Sequence, residues 1–154
     1  MTAKLANYTT TISANKTVMD IQRMLQEHGA TSILVNYKNT DPESLSFIIP
    51  TIYGNLPFRL PVQIDKVDSK LKQMKVRHVY NPNQSAIDRR KALDVGWRNI
   101  YYWLRAQLAL IEIDQVTFDQ VFLPYLQQSG SRSLYEVIIE KHFLLNQGTN
   151  ENGR

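Results

Sequence analysis

Apolar residues recur along this chain at two intervals, every third or fourth position in some stretches and every second in others. Val18, Ile21, Met24 and Leu25 have the helical spacing, which predicts a helix over residues 17–28. Thr17 and Asp20 stand as a capping box at its start, and Gly29 stands where it should stop. Upstream, YTTTIS is rich in β-formers and reads as a strand. Three more strands follow: SILVNYK from Ser32, LSFIIP from Leu45 after the turn-rich NTDPES, and LPFRLPV after Tyr53-Gly54-Asn55. In the last, Leu56, Phe58, Leu60 and Val62 alternate with Pro57, Arg59, Pro61 and Gln63. Proline cannot donate to a ladder, so this strand belongs at a sheet edge with Arg59 pointing outward.

From Asp65, the spacing of Val67, Leu71 and Met74 predicts a second helix whose outer positions Lys66, Lys70, Lys72, Lys75 and Arg77 are basic. The linker HVYNPNQS ends at Ser85, an N-cap candidate with Asp88 three residues on. Leu93, Trp97, Ile100, Leu104, Leu108 and Ile111 then form one continuous apolar stripe, the mark of a helix about 25 residues long. Trp97 and Tyr101 turn inward on this phase. A second ridge carries Arg90, Asp94, Arg98, Tyr102 and Arg105, with Asp94 spaced to pair with both Arg90 and Arg98. Two short helices close the chain. Thr117 with Gln120 and Ser133 with Glu136 form capping boxes, Val116 and Val121 are placed for a hydrophobic staple, and Pro124 ends or kinks the first helix. Leu134, Val137, Ile138 and Leu145 face inward, and the tail GTNENGR has nothing to bury.

These elements make an α+β domain, a small antiparallel sheet in the order β-α-β-β-β-α packed with a helical C-terminal half containing one long amphipathic helix. The chain of 154 residues reads as a single domain with an α/β portion at 8–77, a helical portion at 85–146 and a mobile tail at 147–154. Helix, three strands, helix is also the order of double-stranded-RNA-binding domains; their second helix opens on a basic motif that IDKVDSK does not supply.

Composition then narrows the chemistry. Without cysteine there is no disulfide, no thiolate nucleophile and no cysteine-bound metal, which favours a cytoplasmic setting. No apolar run approaches the roughly 18 residues of a membrane span, so no membrane partner is expected. His28, His78 and His142 lack metal-ligand spacing, and His28 reads as a cap on a helix dipole. No phosphate loop, G-x-S-x-G, H-x-E or D-x-D is present, and Glu112 and Asp114 sit at a solvated helix end. The expectation is a protein without catalytic residues, metal or cofactor.

Charge supplies the positive signal. From Arg59 to Arg105 there are 11 Lys and Arg against 4 Asp and Glu, whereas the rest of the chain has 7 against 10. Such an imbalance points to an anionic partner for the middle of the chain, although a solvated pair of helices gives the same count. Guanidinium groups flanking a tyrosine suit nucleic acid, holding phosphates while a base stacks. The candidate set is Arg90, Arg98, Tyr102 and Arg105, assisted by Lys72, Lys75, Arg77 and Arg59. An acidic protein or a nucleotide would suit the same cations; a deep pocket favours nucleotide capture, an open groove a polymer, and large apolar patches a structural assembly protein.

Several blocks resemble an uncharacterised family of small proteins from bacteriophages, prophages and other mobile elements. They are GATSILVNY, LSFIIP with LPFRLP, RRKALDVGWRNIYYWLRAQLALIE, and VFLPYL followed by SGSRSLYE, together spanning most of residues 21–140. The resemblance implies a mobile-element origin, a place in the cytoplasm of a bacterial host cell, and work in DNA replication or recombination, or in blocking host defences by binding an acidic host protein or sequestering a nucleotide. In GWRNIYYWLRAQ this chain departs from the family, which more often has alanine before the first tryptophan and a Lys-Asp pair before the second.

Overall fold

A capping serine, not a threonine, starts the first helix. In the computed structural model, which describes residues 3–74 and 85–141 and only the backbone of 85–88, α1 runs Ala14–Glu27. Ser13 accepts from Lys16 N–H, so the helix begins three residues before the expected box. Thr17 is fully buried inside the helix, and Asp20 instead pairs with Lys16. Gly29 does end it: at φ 97° it lets the N–H groups of Gly29 and Ala30 turn back to Gln26 and Leu25. His28 donates Nδ1 to the Met24 carbonyl at 2.6 Å, the capping role expected of it, and also meets Glu112 at 2.6 Å.

The strands are β1 (Ser32–Lys38), β2 (Asp41–Thr51) and β3 (Gly54–Arg59), antiparallel in the order β1-β2-β3. β2 starts at Asp41 rather than Leu45, because only Asn39 and Thr40 are needed for the turn, with Asn39 at φ 56°. Alternation divides the faces. Ile33, Val35, Leu45, Phe47, Ile49, Leu56 and Phe58 turn toward the helices, whereas Leu34, Ser46 and Arg59 form one cross-strand row on the other side. β3 is an edge strand with Pro57 in it, as its two prolines foretold, and Arg59 is exposed.

YTTTIS forms no strand. Residues 6–9 are turns, with Asn7 at φ 59°, so the observed order is α-β-β-β-α. Instead of joining the sheet this segment crosses the outer side of the long helix, where Asn7 donates to Asn99 at 2.7 Å and Lys91 donates to the Thr10 carbonyl. Ala92 and Val95 on that helix are fully buried, and Leu5 and Tyr8 pack against the core.

Two more helices complete the described core. α2 (Ile64–Gln73) buries Ile64 and Leu71, and α3 (Ser85–Glu112) passes between α1 and α2. Gly96 on α3 allows the close approach of α2, since a Cβ there would lie 2.9 Å from Ile64 Cδ1. Along α3 the expected stripe is inward: Leu93, Trp97, Leu104 and Leu108 are buried, Ile100 and Ile111 partly so. Trp97 is fully buried and donates Nε1–H to the Pro42 carbonyl at 2.9 Å. The linker at 78–84 and the tail at 147–154 lie outside the described residues, as do His78 and His142; Ser85 itself is helical, and its side chain is not described.

Asp94 does not pair with Arg90 or Arg98. Its Oδ1 accepts from Ala14 N–H at 2.8 Å, so a side chain of α3 caps α1 from outside. Burial pushes the Asp94 carboxyl above its ordinary value of 3.8, opposed by the Ala14 hydrogen bond and then by Lys91 and Arg90. The folded protein therefore holds this proton more tightly than the unfolded chain, and Asp94 costs stability progressively as pH rises above the ordinary carboxyl range. Asp94→Asn keeps the acceptor and loses the charge; its denaturation midpoint is expected to match or exceed the native one at neutral pH and to fall back as the pH is lowered. Asp94→Ala removes the cap and should cost about 1 kcal/mol.

α4 (Phe118–Phe122) and α5 (Leu134–Glu140) both begin on complete capping boxes, Thr117 with Gln120 and Ser133 with Glu136. Pro124 falls in the turn Leu123–Tyr125 that follows α4 directly. Phe118 and Phe122 stack on each other at 4.3 Å and meet Phe47 and Phe58 of the sheet edge-on, which forms the aromatic part of the core. α5 departs from expectation: Leu134, Val137 and Ile138 are only half-buried and none packs against the core, and Leu145 lies outside the described residues. No helix among the described residues is long and apolar enough to cross a membrane.

Candidate nucleic-acid interface

α1 and α3 run side by side in the same direction, since Ala14 meets Asp94, Thr17 meets Arg98 and His28 meets Glu112. This pairing decides the fate of the ridge on α3. An i, i+4 ridge is not a straight face; at 100° per residue, Arg90 and Tyr102 differ by roughly 120° about the axis. Arg90 is exposed near the start of α3, and Tyr102 and Arg105 are exposed about 20 Å further along.

Between them Arg98 turns inward and is only 9% exposed. Its guanidinium lies 4.2 Å from the Tyr101 ring centre and 5.2 Å from that of Tyr102, while Nη1 donates to Thr17 Oγ1 at 3.4 Å. The Asp20 carboxylate stands 4.0 Å away, and Arg98 Nε finds no acceptor among the described residues. Arg98 thus acts as a bolt between α1 and α3, and it holds Tyr102 rather than meeting solvent. Tyr102 keeps 46% of its surface exposed, with Tyr101 edge-on at 5.3 Å and the cation at its base.

The other candidates are dispersed. Lys72 is on α2, where it pairs with Asp68 at 2.6 Å, and Lys75 and Arg77 lie outside the described residues. Arg89 is engaged: it donates to Asp65 at 3.0 Å and to Glu43 at 3.2 Å, joining α3 to α2 and β2. The hydrogen bond to Asp65 chiefly raises its pKa further above the ordinary value. Arg59 ends β3 on the side of the molecule bordered by the last helices. The structure therefore keeps Arg98, Tyr102 and Arg105 together along one part of α3, leaves Arg90 near the far end of the same helix, and places Arg59 and Lys72 on β3 and α2. On the outer sheet face the central rows carry Leu34, Ser46, Ile48 and Pro57 and no aromatic ring.

Sequence reasoning missed Arg132, Tyr125 and Tyr135, which share a cleft with Arg59. Their one local signal is the loop QQSGSR, which brings the chain back on itself. Among the described residues no group of three His, Asp or Glu side chains is arranged to hold a metal ion. Compared with protein-family models, curated proteins and solved structures, the chain finds no match.

Proposed function

We propose that this is a non-enzymatic nucleic-acid-binding protein of mobile-element type, whose contact surface is the exposed side of α3 from Tyr102 to Arg105. The observation that carries the reading is the tyrosine fixed over a buried guanidinium. A ring already held by Arg98 and Tyr101 loses little freedom when a base stacks on it, and Arg105, one turn on and without an ion pair among the described residues, is placed for a backbone phosphate. Single strands reward this pairing, since stacking needs unpaired bases and contributes about 1–3 kcal/mol per base. The basic middle of the chain adds the sequence-independent part of the attraction. Arg98 acts here as a positioning residue.

Fluorescence anisotropy with labelled single-stranded DNA, duplex DNA and duplex RNA tests this directly. Affinity is expected to fall linearly in log salt, with the single strand preferred. Tyr102→Ala should weaken single-strand binding by roughly 5- to 100-fold, and Arg105→Glu should lower the salt slope by about one. Absence of binding at low salt would overturn the proposal, and an unaffected Tyr102→Ala would remove the stacking surface from it.

A further inference from the structure

The C-terminal segment is fastened to the open edge of β3. Gln127 N–H donates to the Pro57 carbonyl at 2.9 Å, Phe58 and Leu126 form a bridge, and Leu134 N–H returns to the Leu126 carbonyl at 2.8 Å. Gln127 and Ser133 bridge in turn, so residues 127–133 form a closed loop held against the sheet. Between this loop, the start of α5 and the strand exit at Arg59 to Gln63 lies a cleft of about 400 Å3.

Two arginines and one carboxylate stand on its walls. Arg59 has no ion pair among the described residues, and Arg132 stands on the same cleft, with one of its nitrogens turned to Glu140. The cleft has one carboxylate, Glu136, and that group is already engaged by Ser133 N–H at 2.7 Å in the capping box. Arg59 is thus the one cation on the cleft without an ion pair among the described residues, Arg132 keeps nitrogens beyond the one that meets Glu140, and Glu136, bonded only to uncharged groups of Ser133, keeps its negative charge. Guanidiniums with nitrogens to spare hold a phosphate through charge-assisted, often bidentate hydrogen bonds.

The remaining surface suits a ring. Tyr125 is half-buried and fixed edge-on against Trp103 at 5.5 Å, and Tyr135 on α5 borders the cleft with 54% of its surface exposed. Leu60, Pro61 and Val62 supply an apolar wall. Ser131 adopts φ 65° directly after Gly130 at 77°, so a non-glycine residue is held in a left-handed conformation at the cleft wall. Such conformations cost about 1–3 kcal/mol and persist where the surroundings enforce them, which is commonest at ligand-contacting loops.

We infer that this cleft is a binding site for a nucleoside monophosphate, with the phosphate between Arg59 and Arg132 and the base against the tyrosines. Its volume is at the small end of the ~300–1,000 Å3 of ligand pockets, enough for one nucleotide unit and not for a strand. The inference goes beyond the α3 surface and shares no residue with it. A protein with both would read polymer on one side and free nucleotide on the other.

Isothermal titration calorimetry with adenosine 5′-monophosphate, uridine 5′-monophosphate, adenosine and inorganic phosphate tests the cleft. One nucleotide is expected per chain, bound at least about tenfold more tightly than adenosine or phosphate alone. Arg59→Gln and Tyr135→Ala, both at exposed positions and checked for native melting, should each weaken the nucleotide at least about tenfold, and Arg105→Glu should leave it unchanged. Lack of nucleotide binding at millimolar concentration, inorganic phosphate binding as tightly as the nucleotide, or indifference to Arg59→Gln would each overturn the inference. Loss of single-strand binding with nucleotide binding retained would sink only the α3 reading.

Discussion

Trp97→Ala is expected to lower the free energy of unfolding by about 3–5 kcal/mol, measured by urea denaturation with Trp103 as the remaining fluorophore. The indole is fully buried between α3 and the sheet, so its removal leaves a cavity as well as losing apolar contact. It also strands the Pro42 carbonyl. β1 and β2 slip register here, Asn36 pairing with Ser44 and Tyr37 with Pro42, and the indole N–H is the donor that carbonyl receives. Trp97→Phe should therefore fall between the two, filling most of the space while leaving the carbonyl without its donor. Small domains keep only ~5–15 kcal/mol in all, so the alanine variant should be partly unfolded at modest temperature. Native-like stability would mean that α3 presents another face to the sheet.

Arg98 gives the second large effect, and it differs sharply between two replacements. Arg98→Glu places a carboxylate beneath Tyr101 and Tyr102 and beside Asp20, an uncompensated buried charge that should cost about 3–5 kcal/mol. Arg98→Met keeps the length and apolar stem of the side chain and removes a guanidinium whose nearest carboxylate is 4.0 Å away. Replacement of such a poorly matched buried ion by an apolar residue is expected to change stability by about 1 kcal/mol or less, or to raise it. Chemical denaturation of both variants decides the matter: equal, small effects would place the guanidinium in solvent. In the binding assay Arg98→Met should weaken single-strand affinity less than Tyr102→Ala, because it loosens the ring without deleting it.

What was legible in the sequence follows the range of the interaction responsible. β1 reads from its first residue to its last because alternation and the turn after Lys38 are local. The capping boxes at Thr117 and Ser133 are equally visible, since all their atoms lie within four residues. Thr17 with Asp20 matches the same pattern and fails. The competing cap, Ser13, wins because burying Thr17 against α3 requires the helix to have started already, a demand made 80 residues away. Arg98 failed for a related reason. Its spacing placed it on a charged ridge, but α1 covers the middle of that ridge and leaves its ends exposed. YTTTIS has strand-forming residues, yet its long-range hydrogen bonds run to α3, through the Thr10 carbonyl and the preceding Asn7, and not to a sheet edge.

The candidate surfaces divide in the same way. Tyr102 and Arg105 were readable because they sit one turn apart on a single helix. The cleft was not, because Arg59 and Arg132 come from opposite halves of the chain and are brought together by long-range pairing, Phe58 with Leu126 and Pro57 with Gln127. Nothing local in RLPVQ announces that a loop seventy residues later will face it.

The parallel pairing of α1 with α3 has a consequence in time. The contacts that seat α1 and the segment before it span 80, 81, 84 and 92 residues, from Ala14 to Asp94, Thr17 to Arg98, His28 to Glu112 and Asn7 to Asn99. Closing such loops must precede any gain from them, which slows folding. During synthesis the first helix must wait, its apolar stripe uncovered, until the final turn of α3 has left the ribosome. At ~5–20 residues per second that is an interval of several seconds in which the nascent chain depends on the sheet hairpins, and on whatever cellular factors shield Val18, Ile21 and Leu25, to keep it from other chains.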